Sequence, residues 1–161
     1  VFFPSYAYLS RIDALLAAEG IPGAAILREA RGLTEEEKNA LLGAFDKRDG
    51  RTVLLAVLGG AFAEGVDLAG ERLQNVIVVS TGLPQMDARV RAMRRYHDEN
   101  GADGAFLCMT LPGMVRVIQS AGRLIRTQSD HGALLLIDSR YQRGAERALL
   151  SGTLIGDALS G

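Results

Sequence analysis

Three clusters in this sequence combine polar side chains with glycine or a helix start, the combination that binds phosphates and nucleotides. The first is Phe3-Pro4-Ser5-Tyr6. A serine hydroxyl and the free N–H groups of a helix start can hold a phosphate. The same residues also serve as a plain N-cap with a packed tyrosine. The second cluster is Gly59-Gly60-Ala61-Phe62-Ala63-Glu64-Gly65-Val66-Asp67. Glycine there permits positive φ or close approach of the backbone to a ligand. The Asp67 carboxyl suits a ribose hydroxyl or an arginine, and the alternative is a tight turn with solvated acids.

The third cluster is Gln119-Ser120-Ala121-Gly122-Arg123-Leu124-Ile125-Arg126. With Gln119 set at zero on a helical wheel, Arg123, Arg126 and Arg116 fall near about 40°, −20° and 60°. Met114, Val117, Ile118, Ala121, Leu124 and Ile125 fill the opposite arc. Two guanidinium forks one turn apart can clasp a triphosphate and stabilise charge in its transition state. An ordinary amphipathic surface helix has the same pattern.

The elements that must position these clusters alternate along the chain. Apolar strand patterns cover residues 1–4, 24–28, 52–58, 75–80 and 133–137. Helical spacing covers residues 8–19, with Gly20 as its stop, and 86–99, 111–127 and 139–150. Another helix starts at Thr34 as N-cap, with Glu35, Glu36 and Glu37 in its first turn and a capping box between Thr34 and Glu37. Leu41, Leu42 and Phe45 supply its buried face. Short apolar strands alternating with helices predict an α/β domain, a mostly parallel central sheet covered on both faces. In such a sheet ligands gather at the carboxyl ends of the strands, where all three clusters fall or which they flank.

Bulk properties narrow the classes. The chain has 161 residues, 48% of them hydrophobic, enough for one domain with a core and too apolar for disorder. No apolar run reaches the roughly 18 residues that a membrane span needs, so no membrane partner is expected. The opening Val1-Phe2-Phe3-Pro4 has no basic leader and reads as a strand entered in mid-course, so residues 1–161 are expected to be one domain of a longer protein. Cys108 is the one cysteine, which excludes an internal disulfide, and His97 and His131 stand far apart, so no metal site is expected. Net charge is −1, so any nucleic-acid contact must be local, made by a groove and backbone donors. All of the 18 basic residues but Lys38 and Lys47 are arginine. Arg89, Arg91, Arg94, Arg95 and Tyr96 form a basic stretch that reads either as a solvated helix face or as part of a nucleic-acid path.

Taken in order, the clusters resemble the C-terminal motor domain of superfamily 2 helicases, most closely the DinG and XPD branch of DNA helicases. Phe2-Phe3-Pro4-Ser5-Tyr6 resembles motif IV, residues 60–70 resemble motif V, and residues 119–126 resemble motif VI. Ile125 before the last arginine is characteristic of that branch, and Asp130-His131-Gly132 and Asp138-Ser139-Arg140-Tyr141 fit the strand that follows. The resemblance implies a RecA-like three-layer sandwich. It implies that Gln119, Arg123 and Arg126 face ATP bound mainly by a first motor domain, the arginines at its γ-phosphate. It also implies that Glu64, Gly65 and Asp67 couple nucleotide to DNA, and that Ser5, Tyr6 and Gly60 touch the backbone of single-stranded DNA.

Ala61 departs from the pattern, standing where DinG-like members often carry serine. The phosphate-binding GxxxxGK[ST] loop and the acidic box for Mg²⁺ are absent from this chain. ATP and Mg²⁺ therefore belong to the full-length protein, and an iron–sulfur cluster, if present, to the first motor domain. The implied activity is 5′ to 3′ unwinding of DNA driven by ATP. One alternative is a translocase or nuclease-associated DNA-dependent ATPase, and another is a self-contained nucleotide- or DNA-binding module. A DNA substrate and the absence of an export signal lead to an expected cytoplasmic, nucleoid-associated location in a bacterium.

Overall fold

The computed structural model describes residues 1–45, 50–63, 73–122, 124, 132–142 and 144–153. Its elements run β1 (Phe2–Phe3), α1 (Tyr6–Glu19), β2 (Ala24–Arg28), α2 (Glu35–Phe45), β3 (Arg51–Val57), β4 (Asn75–Val79), α3 (Ala88–Glu99), α4 (Leu111–Ala121), β5 (Ala133–Ile137) and α5 (Gly144–Thr153). The five strands form one sheet in the order β2-β3-β1-β4-β5, and every pairing is parallel. This is the expected RecA-like α/β architecture. Because all strands point the same way, their carboxyl ends share one edge.

Alternation along each strand separates two apolar layers. Phe2, Ala56, Val76 and Val78 face one side, where Met114 and Val117 of α4, Leu150 of α5 and Phe62 complete the larger core. Leu41, Leu42 and Phe45 of α2 pack against its margin, as their spacing predicted. Phe3, Leu55 and Val57 face the other side under Leu9, Ile12 and Leu16 of α1. Val78, Met114 and Val117 are fully buried, each stabilising the fold by about 1.5–3 kcal/mol through removal from water. Coverage of the second face is less complete than expected. Among the described residues α1 lies over β1 and β3, while Leu135 and Ile137 of β5 remain half exposed.

Local signals account for the element ends. Gly20 adopts φ 67° and closes α1 by donating its N–H to Leu16 O. The capping box forms as predicted: Thr34 Oγ1 accepts the Glu37 N–H at 3.2 Å, and Glu37 Oε2 accepts the Thr34 N–H at 2.8 Å. Helical structure before α4 was not foreseen. Residues 106–110 form a π-helical turn in which the Leu111 N–H reaches Phe106 O. Pro112 has no N–H to offer the Cys108 carbonyl, which favours this wider register at the entry to α4.

The expectation of one helix over residues 111–127 is corrected within the described residues, outside which residues 123 and 125–127 lie. α4 ends at Ala121, and Gly122 is its C-cap, with its N–H still bonded to Ile118 O at 2.8 Å. Glycine is among the poorest helix residues, so the helix stops there even though the apolar period continues. A tighter turn follows, in which the Leu124 N–H bonds Ala121 O at 3.0 Å and the Leu124 side chain enters the core. The last predicted helix also divides, into a 3₁₀ turn at Ser139–Gln142 and then α5.

Candidate nucleic-acid and nucleotide site

The strand ends bring Ser5 and Tyr6 (after β1), Glu29 and Arg31 (after β2) and Gly59 and Gly60 (after β3) to one edge of the sheet. Ser5 is the N-cap of α1, its Oγ accepting the Tyr8 N–H at 3.2 Å. The plain capping role is therefore real. The hydroxyl proton is still available to a phosphate, and the first turn of α1 has no acidic residue to repel one.

Tyr6 is half-buried, and its hydroxyl donates to Glu29 Oε1 at 2.9 Å. Burial and then that hydrogen bond push the phenol up to about 12. The Arg31 guanidinium lies over the Tyr6 ring, 4.7 Å from its centroid. Arg31 is exposed, so it places a cation beside the start of α1.

Glu29 joins the first two clusters. Only 3% of it is exposed. Oε1 accepts the Ala61 N–H at 2.7 Å as well as the Tyr6 hydroxyl, and Oε2 accepts the Val57 N–H at 2.9 Å. Its own N–H donates to Leu55 O at 2.8 Å, extending the β2–β3 ladder by one bond. Three donors satisfy the carboxyl, which is the condition for burying one. Gly60 is required by this arrangement: a Cβ there would lie 2.2 Å from Glu29 Oε1. Phe62 and Ala63, each 1% exposed, then anchor the loop in the core.

Sequence reasoning missed Glu29 and Arg31. The signal was available: an acidic residue directly after an apolar strand falls at the same carboxyl edge as the other clusters.

On the far side of the edge, Arg116 of α4 ties two loops together. Its Nη1 donates to Gly82 O at 3.3 Å, and its side chain packs on Gly59, which takes φ 74°. The wheel had placed Arg116 on the polar face, whereas here it is half-buried between the turns after β3 and β4. Gly113 lets α4 approach closely, since a Cβ there would meet Thr81 O at 2.6 Å. Beyond it, Arg140 bonds both oxygens of Asp138 and donates to Ser80 Oγ at 3.1 Å, and the Tyr141 hydroxyl donates to Ser80 O. Ser80 adopts φ 68°, a strained region for a residue other than glycine, and these bonds hold it there. They lock the ends of β4 and β5.

Gln119 lies exposed on α4. Arg123, Arg126, Glu64, Gly65 and Asp67 lie outside the described residues. Among the described residues no group of three His, Cys, Asp or Glu could hold a metal ion, and no helix is long and apolar enough to cross a membrane. α3 buries none of its residues, and Tyr96 is 63% exposed, so the basic stretch faces solvent, which fits either a solvated helix face or a nucleic-acid path.

Comparison with known proteins agrees with this architecture. A family model described as the helicase C-terminal domain matches residues 1–154. The chain is 34% identical over 167 residues to the regulator of telomere elongation helicase 1 homolog of Anopheles gambiae, covering 94% of this chain and 17% of that protein. It is 30% identical over 163 residues to the ATP-dependent DNA helicase chl-1 of Caenorhabditis elegans, covering 98% of this chain and 19% of that protein. Two solved structures, of the XPD helicase and of XPD in its apo form, align with TM-scores of 0.70 and 0.73. Each alignment covers 93% of this chain, with 26% and 30% of the XPD chains, and identities of 20% and 21% make it a likeness of fold. The chain spans less than a fifth of the two curated relatives. On the family match over nearly the whole chain, with these relatives beside it, the chain belongs to the helicase C-terminal domain family.

Proposed function

We propose that this chain is the second motor domain of an ATP-dependent DNA helicase acting 5′ to 3′, which completes the ATP site and grips single-stranded DNA. The observation that carries the reading is the joining of two segments at one sheet edge. Ser5 and Tyr6 at the start of α1 meet the Gly60 loop through Glu29, in a member of a helicase family. Both segments sit where backbone amides, a hydroxyl and a guanidinium can follow a phosphate chain without reading bases. The Caenorhabditis elegans relative, an ATP-dependent DNA helicase by name, supports DNA as the polymer and ATP as the fuel.

In this reading the first motor domain of the same polypeptide brings the amide cradle for the phosphates and the carboxylates for Mg²⁺. This chain brings Gln119, Arg123 and Arg126 to the nucleotide. Glu64, Gly65 and Asp67 link that site to the DNA edge. Closing of the two domains on ATP and their parting after hydrolysis then move the pair along one strand.

The test is Arg126→Ala in the full-length protein, assayed as ATP hydrolysis stimulated by single-stranded DNA. Loss of a transition-state guanidinium should lower kcat by about 10³-fold or more. Turnover equal to wild type would remove Arg126 from the reaction.

A further inference from the structure

We infer that Glu29 is a positioning residue for DNA binding, the buried link that makes the start of α1 and the loop after β3 move as one unit. The inference rests on the proposed function for what that unit grips. The geometry is local and independent of it. Tyr6 and Ala61 are 55 positions apart in sequence and share one acceptor atom, Glu29 Oε1, at 2.9 and 2.7 Å. Oε2 fixes the carboxyl to the last residue of β3 through the Val57 N–H at 2.9 Å. Gly60 leaves no room for another side chain between them. Neither DNA-facing segment can shift without breaking a bond to the same carboxyl group.

Glu29→Gln tests this with little change of volume. One amide oxygen can still accept from Tyr6 and Ala61, but the NH₂ group then faces the Val57 N–H, donor against donor. The flipped amide restores Val57 and can donate to the Tyr6 hydroxyl, which also accepts, but it leaves the Ala61 N–H facing a donor. No orientation satisfies all three.

Two readouts separate a positioning role from general loosening, both made on the full-length protein. The first is DNA-stimulated ATP hydrolysis as a function of DNA and of ATP concentration. Glu29→Gln should raise the half-saturating concentration of single-stranded DNA roughly ten-fold. The KM for ATP at saturating DNA should stay within about two-fold, since none of the three donors to Glu29 is a residue assigned to the nucleotide. The second is hydrogen exchange. In Glu29→Gln at least one of the Val57 and Ala61 amides, the one that faces the new NH₂ group, should exchange about ten-fold faster or more. Ala56 and Leu58, bonded to Val1 O and Phe3 O, should keep wild-type rates.

Equal exchange at Val57 and Ala61 in the two proteins would overturn the inference. So would faster exchange across all four amides with equal losses for ATP and DNA, because that is loss of structure alone. If the wild-type protein lacks DNA-stimulated turnover, the helicase reading falls by itself, and the exchange pattern still decides whether Glu29 joins the segments.

Discussion

Replacing Gly60 with alanine adds one methyl-sized group where the loop after β3 comes closest to the Glu29 carboxyl group. Its Cβ would stand 2.2 Å from Glu29 Oε1 and 2.9 Å from both Cδ and Oε2. Ordinary contact begins near 3.4 Å, so the carboxyl group has to retreat by more than 1 Å. It has nowhere equivalent to go, because Oε1 is held by Tyr6 and Ala61 and Oε2 by Val57.

Retreat strands two donors at Oε1, and stranded buried donors cost about 1–3 kcal/mol each. Alanine in place of glycine also reduces the entropy of the unfolded chain, worth about 0.4–1 kcal/mol in the opposite direction. The steric term wins. The expected net loss is about 2–4 kcal/mol, or roughly 5–12 °C in Tm for a domain of this size. Thermal and urea unfolding followed by far-UV circular dichroism reads it.

Gly43→Ala is the control. It lies in α2, where an added Cβ meets nothing within 4 Å, and it should stabilise by about 0.5–1 kcal/mol. The double variant Glu29→Ala with Gly60→Ala should lose less than the sum of the two single losses, because the methyl group occupies the emptied space. Additive losses, or a Gly60→Ala protein as stable as wild type, would refute the packing argument.

Two further predictions concern Tyr6 and Arg31. The Tyr6 phenol ionises near about 12 in the folded protein against 10.0 when free, so the unfolded chain loses its proton first as pH rises. That contribution to stability is complete below pH 10 and vanishes as pH climbs toward 12. Tyr6→Phe should therefore flatten the decline of Tm over this window, and an unchanged slope would refute the assignment. The decline that remains comes partly from Tyr141, whose phenol burial also pushes up. Arg31→Ala should weaken single-stranded DNA binding and reduce the salt slope of log K by about 0.7, the loss of one phosphate contact. Fluorescence anisotropy of a labelled oligonucleotide across salt concentrations measures it, and an unaltered slope would remove Arg31 from the DNA path.

Much of the fold was readable before any coordinates because its determinants are local. The strand Ala24–Arg28 matches its predicted limits, as does Ala133–Ile137, since each is a short apolar run bounded by breakers. Gly20 and the pair Thr34 and Glu37 mark helix ends by chemistry acting within four residues. The helix assigned through residue 127 failed for a related reason. Its apolar period runs past Gly122, and period alone does not weigh the low helix propensity of one glycine against the turns on either side.

The amino-acid sequence by itself determined the parallel α/β class, the order of the three clusters and the family they belong to. Hydrophobic period, caps and motif spacing are properties of neighbouring residues, so no distant contact is needed to read them. Only the tertiary structure decided that Glu29 joins Tyr6 to Ala61, that Arg116 closes two loops rather than facing solvent, and that Ser80 is held strained by Arg140 and Tyr141. Each depends on which strands become neighbours in the order β2-β3-β1-β4-β5, and that order places residues dozens of positions apart within hydrogen-bond reach.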